Sequence, residues 1–166
     1  TGLAQRLEAF MDQVRDGTLT EPLSTAFERE HRVIDDGILA AVDAPADRTG
    51  RQPLADAIHA LRRHIYAEEE LMFPALRDAG VVGPVLVMLR EHAEMWPLLD
   101  TVEQSAAEDD VPVLREACAS LLDLLTRHNP KEEAILYPQA DTLLEPGAAS
   151  ILRQLLVSGD IPTGWR

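Results

Sequence analysis

The sequence predicts an all-α protein: an antiparallel up-down-up-down four-helix bundle with an N-terminal extension helix and a short C-terminal helix. Three observations carry this. Leu and Ala dominate the 166 residues while aromatics make up 4%, a composition that favours helix. Apolar residues recur at helical spacing in four long stretches joined by short or moderate links. The frame His-x3-Glu-Glu-x-aliphatic-(Met/Leu)-aromatic-Pro occurs twice, at 64–74 and 128–138, so two of those helices share one design.

In chain order, Leu3, Leu7, Phe10, Met11 and Val14 form a helical stripe that Asp16-Gly17 ends, giving the extension helix over residues 1–18. Thr20 reads as a cap for a first bundle helix over 21–42, which buries Leu23, Phe27, Ile34 and Ile38 with His31 in the same stripe. Pro45, Asp47, Thr49 and Gly50 mark 43–52 as the long loop. A second helix over 53–79 buries Leu54, Ile58, Leu61, Ile65 and Met72, with His64 and Glu68 bordering that face. Pro74 bends its last turns and Gly80 stops it. The third helix, from Gly83-Pro84 to residue 107, points Val85, Met88, Leu89, His92, Met95, Trp96 and Leu99 inward. After a turn and cap at 108–110, the fourth helix covers 111–139. Its inner face carries Leu114, Ala117, Leu121, Leu124, Leu125, His128, Glu132 and Ile135. Pro130 interrupts it, and Asn129 with Glu132 suggests a fresh cap and a sharp kink there. A tail helix over 147–157 ends the pattern. The whole reads as a single domain over 1–166, with its bundle core at about 20–140 and a tail from 141 to 166.

Hydrophobic residues at 46% and charged residues at 27% are the proportions of a globular chain. The net charge of −14 excludes nucleic acid and anionic membrane surfaces as natural partners. No run of eighteen apolar residues occurs and no secretory pattern opens the chain, which starts at Thr1. The single Cys118 rules out an intramolecular disulfide and fits a cytoplasmic protein.

Four residues of α-helix turn through about 400°, so His64 with Glu68, and His128 with Glu132, stack one turn apart on one face. A second echo joins the first, because Arg29-Glu30-His31 returns as Arg90-Glu91-His92. Each half therefore offers two imidazoles and one carboxylate: His31, His64 and Glu68, then His92, His128 and Glu132. That donor set suits iron, with manganese or zinc as competitors, and leaves positions open for another ligand. Two such sets face to face suggest two metals with Glu68 and Glu132 as bridges. Buried ionised carboxylates cost several kcal/mol each, and a cation is the natural compensation. Glu30 and Glu91 are placed to orient neighbouring imidazoles, and Trp96 and Met95 to wall the site. Glu69 and Glu133 read as solvated, Cys118 as core filler and His59 as a surface residue. Tyr66 and Tyr137 fall off the ligand face of a straight helix, although a kink would bring Tyr137 closer. The one irregularity of the frame is Pro130 in the place of Tyr66, and any inequality between the halves is expected there.

The combination His31, His64-x3-Glu68, His92, His128-x3-Glu132 resembles the hemerythrin-like, HHE cation-binding family over residues 20–139. The resemblance implies an antiparallel four-helix bundle with a non-haem di-iron centre, oxo- or hydroxo- and carboxylate-bridged, that binds dioxygen, peroxide or nitric oxide. It makes the six residues the iron ligands. Oxygen-carrying members place two histidines one turn apart on the third helix and a more widely spaced Asp on the fourth. Here Trp96 follows His92 by one turn and the fourth helix carries Glu132, which counts against reversible oxygen carriage and towards redox chemistry.

Two classes of function follow. One is an enzyme, a di-iron catalase- or peroxidase-like oxidoreductase that decomposes peroxide or reduces dioxygen or nitric oxide, its electron donor unspecified. The other is a module that binds or senses dioxygen, nitric oxide or iron, with Pro74, Pro97 and Pro130 coupling coordination to helix bending. An oxygenase or oxidase on a small organic substrate needs a larger pocket than expected beside Trp96. A purely structural bundle predicts no stabilisation by iron.

Overall fold

A computed structural model describes residues 20–43 and 51–165. The expected extension helix and most of the long loop lie outside the described residues. The described chain is helical, with no strand. Its elements are α1 (Leu23–Asp43), α2 (Arg51–Ala67), a π-helical turn π1 (Glu68–Met72), α3 (Phe73–Asp78), α4 (Val82–Glu108), α5 (Val111–Lys131), a second π turn π2 (Glu132–Leu136), α6 (Tyr137–Leu143) and α7 (Pro146–Ser158). Four long rods result: α1, α2–π1–α3, α4 and α5–π2–α6.

The links follow from local chemistry. Gly80, at φ 97°, closes α3 by donating its N–H to the Arg77 carbonyl while Val81 donates to that of Leu76. Asp109, at φ 58°, ends α4, and the Asp110 carboxylate accepts from the Val113 N–H, 3.2 Å away, to cap α5. Rods α1 and α2 pack along each other, as do α4 and α5. Helix α5 also packs on α1, and α7 lies against α1 and α2. Among the described residues no helix is long and apolar enough to cross a membrane.

The core is split into two clusters. One gathers Ile34, Ile38, Leu61, Met95, Leu99, Leu121 and Leu125, the other Phe27, Met72, Phe73, Leu76, Met88, Leu136 and Tyr137. Between them, on all four rods, lies a buried polar layer of His31, His64, Glu68, His92, His128 and Glu132.

Pro130 does not break its helix as expected. α5 continues through it to Lys131, the Asn129 amide reaches Asp35 rather than a cap position, and Glu132 is fully buried in the polar layer. The disturbance lies one turn on, where Phe73 and Tyr137 donate their N–H groups to Glu68 and Glu132, five residues back. Each π turn is followed by the proline of the repeated frame, Pro74 or Pro138. Proline cannot donate, and its ring crowds the carbonyl four residues back, so a widened turn just before it relieves both problems. The extra residue shifts the register of everything after it. Ile135, expected inside, is 44% exposed, while Leu136 is buried.

Rods α1 and α2 approach closely at Gly37, where an added Cβ would lie 2.6 Å from Ala57 Cβ and 3.0 Å from the Pro53 carbonyl oxygen. Gly37→Val is expected to lower the melting temperature, because overpacking of about 1–3 kcal/mol exceeds the few tenths of a kcal/mol by which Val improves on Gly in helix propensity. Thermal unfolding followed by circular dichroism measures it.

Candidate metal centre

The i, i+4 spacing sets each histidine against its carboxylate: His64 Nε2 lies 3.3 Å from Glu68 Oε1, and His128 Nε2 lies 3.0 Å from Glu132 Oε1. The two carboxylates divide their oxygens between the halves. Glu68 turns Oε1 to His64 and Oε2 to His92, at 3.4 Å. Glu132 turns Oε2 to His31, at 3.3 Å, and Oε1 to His128 and, at 3.6 Å, to His92. His31, His64, Glu68 and Glu132 bring ligand atoms within 4.8 Å of one another, and so do His92, His128 and Glu132. The layer thus offers two adjoining cation positions that share a carboxylate.

A family pattern, the hemerythrin HHE cation binding domain, matches residues 23–140, which span every residue of this layer. The chain belongs to that family. Hemerythrin domains bind metal ions, usually iron. No curated protein matches the chain, and no solved structure does.

In this hemerythrin domain every inward imidazole is held from behind by a carboxylate. His64 Nδ1 meets Glu30 at 2.9 Å and His128 Nδ1 meets Glu91 at 2.9 Å; each carboxylate sits just before the lone histidine of its half. His31 Nδ1 meets Glu133 at 2.8 Å and His92 Nδ1 meets Glu69 at 3.1 Å. Glu69 and Glu133 are therefore not simply solvated, as their sequence position suggests. The Glu69 side chain is 5% exposed and that of Glu133 35%. An Nδ1–H donated to a carboxylate leaves the Nε2 lone pair facing inward, the tautomer a metal requires. Arg63 bonds Glu30 at 2.6 Å, and Lys131 bonds Glu91, anchoring these carboxylates from the surface.

The sequence reading missed the seventh member of the layer. Tyr137 is fully buried, its hydroxyl 2.9 Å from His31 Nε2, 3.1 Å from His64 Nε2, 2.8 Å from Glu68 Oε1 and 3.0 Å from Glu132 Oε2. On a straight helix a residue five past Glu132 points about 140° away from it. The i→i+5 bond of π2 carries it back over the carboxylate. Phe73, five past Glu68, holds the matching position in the other half and stacks on His92, ring centres 5.7 Å apart and planes 16° apart. The halves differ here, in a phenol against a phenyl ring, and not only at Pro130 and Tyr66.

Met95 is fully buried in the cluster beside the layer. Trp96 sits further out, half-buried, edge-on to Trp165 at 5.5 Å and beneath the Arg62 guanidinium. His59 is exposed. Cys118 is buried among apolar residues, and burial pushes its thiol up to about 11.

The charges of the layer shift one another's protonation. Burial alone would depress His64, but Glu68 and Glu30 outweigh it and raise it to about 10. Burial and the charge of Glu132 press Glu68 upward, yet His64 and His92 hold it down at about 2. His92 is likewise raised against burial, by hydrogen bonds to Glu132 and Glu68, and Glu132 lowered against it, chiefly by His128. His128 is raised in the same way, chiefly by Glu132. Even so, Glu68 Oε2, His92 Nε2 and Glu132 Oε1 are buried with no hydrogen bond of good geometry. Carboxylate oxygens and an imidazole nitrogen buried without well-formed hydrogen bonds are what a metal ion satisfies on displacing protons from the layer.

Two outcomes follow. His64 titrates at about 10 folded against 6.5 ordinarily, so its stabilisation is complete below about 6.5 and is lost as pH rises through about 10. Glu68, at about 2 against 4.5, stabilises above about 4.5 and loses that as pH falls through about 2. Chelator-treated protein is thus expected to melt highest between about pH 4.5 and 6.5, and progressively lower towards pH 10, in thermal scans. Glu133→Gln, which keeps the shape of the His31 partner but not its charge, is expected to weaken metal affinity roughly 10–100-fold in chelator competition.

Proposed function

We propose that the protein is a non-haem di-iron protein that binds and transforms a small oxygen-derived or nitrogen-oxide ligand, with peroxide decomposition as its leading activity. The observation that carries this reading is the division of Glu68 and Glu132 between the halves. A carboxylate with one oxygen towards His64 and the other towards His92 is arranged to join two cations rather than to chelate one. Two imidazoles per half complete a nitrogen- and oxygen-donor set suited to iron. The two-residue turn at Asp109–Asp110 fits the antiparallel order that lets all four rods contribute at one height.

In this reading His31, His64, His92, His128, Glu68 and Glu132 would hold the pair of irons, which would supply one electron per ion to one hydrogen peroxide, giving water, and recover both from a second, released as dioxygen. The chain's own part is positional and electrostatic. Glu30, Glu69, Glu91 and Glu133 keep each Nδ1 proton outside the layer and each Nε2 lone pair within it. Phe27, its ring 5.0 Å from that of His64, and Phe73, stacked on His92, close the layer towards one apolar cluster. Met95 and Ile65 close it towards the other. These walls keep bulk water out and favour a ligand of two or three heavy atoms.

Anaerobic loading is expected to give two irons per chain, and the loaded protein to turn over hydrogen peroxide steadily. His64→Ala is expected to lose that turnover while keeping its helical circular dichroism. One iron per chain, or two irons inert to peroxide, dioxygen and nitric oxide alike, sinks the reading.

A further inference from the structure

The four atoms around the Tyr137 oxygen, at 2.8–3.1 Å, are also neighbours of one another. His31 Nε2 and His64 Nε2 are 3.0 Å apart, His64 Nε2 and Glu68 Oε1 3.3 Å, and His31 Nε2 and Glu132 Oε2 3.3 Å. Hydrogen bonding alone does not account for this crowd. A phenol has one proton to give, and two carboxylate oxygens compete for it. His31 Nε2 is an acceptor once its Nδ1 proton faces Glu133, and a proton on His64 Nε2 adds one donor more, so two protons face seven contacts. Donor atoms bound at right angles to one cation, with bonds of about 2.1 Å, lie about 3 Å apart. The seven separations match that spacing, with Tyr137 as apex over the other four atoms.

The opposite half shows the complement. Its Glu68 Oε2, His92 Nε2 and Glu132 Oε1 are fully buried without a well-formed hydrogen bond, and the residue at the apex position is Phe73, which has no donor.

We propose that Tyr137 is a fifth protein donor to the metal held by His31, His64, Glu68 and Glu132, and that the Phe73 half is the one open to an external ligand. This rests on the two-metal reading above. On coordination the phenol O–H bond gives way to an oxygen–metal bond, and the proton leaves to solvent. The Tyr137 half is then filled by protein, whereas the half beside Phe73, with His92 and His128, keeps a position for the small molecule. Chemistry and structural holding are divided between two otherwise matching sites.

The test compares ferric, iron-loaded wild type with Tyr137→Phe and Tyr66→Phe, the two tyrosines of the chain. Iron is counted per chain, and visible absorption, resonance Raman spectra and azide stoichiometry are recorded. Wild type and Tyr66→Phe are expected to show a phenolate-to-iron charge-transfer band with tyrosinate ring modes and to bind one azide. Tyr137→Phe is expected to keep two irons, lose the band and bind a second azide. Should Tyr137→Phe fail to fold, persistence of the band in Tyr66→Phe, where Tyr137 is the one remaining tyrosine, supports the assignment, and its loss overturns it. Two irons in wild type without a tyrosinate signature overturn the proposal while leaving the di-iron reading intact. Fewer than two irons overturn both.

Discussion

The structure depends on one electrostatic demand: two carboxylates, four imidazoles and a phenol are removed from water in a single layer and must be neutralised there. Apolar residues seal the layer on both sides, so solvent cannot do it. Each group is instead balanced twice, by its opposite inside the layer and, for the imidazoles, by a carboxylate behind. Breaking one partner of such a buried pair leaves an uncompensated charge, the costliest defect a core can hold. The repeat in the sequence reflects this: each half supplies carboxylates that steady histidines of the other.

Backbone geometry gives the layer its detail. A plain α-helix places one carboxylate per turn against its histidine and then rotates the next long side chain away. The π turns at Glu68–Met72 and Glu132–Leu136 bring one more residue into the layer from each of two rods. Such turns concentrate at functional sites because they sacrifice regular hydrogen bonding for side-chain placement. Here the following prolines have already removed one of the bonds to be lost, which lowers the cost of the wider turn.

Much of this was legible in the residues. Helical periodicity located the rods to within a few residues, and the four-residue spacing put His64 with Glu68 and His128 with Glu132 on inward faces, where the structure gathers them with His31 and His92. Two of the errors share one cause. Ile135 and Tyr137 were placed by straight-helix arithmetic beyond a register shift, so one faces out and the other in. The signal was present, since Pro74 and Pro138 close both copies of the frame, but a proline does not say whether a helix bends, breaks or widens. Pro130 shows this from the other side, with α5 running through it. Glu69 and Glu133 were misjudged for a different reason. Their partners, His92 and His31, come from other rods, and one helix face carries no record of what will pack against it.

The position of the polar layer has a consequence for the bundle as a mechanical object. Because it separates the apolar clusters, the bundle amounts to two small cores joined through a charged waist. Neither core has the bulk of a full bundle interior, and the waist contributes cohesion only while its charges are matched. A cation shared between the halves would tighten that waist and couple the unfolding of the two cores. Metal binding and the cooperativity of unfolding would then rise together.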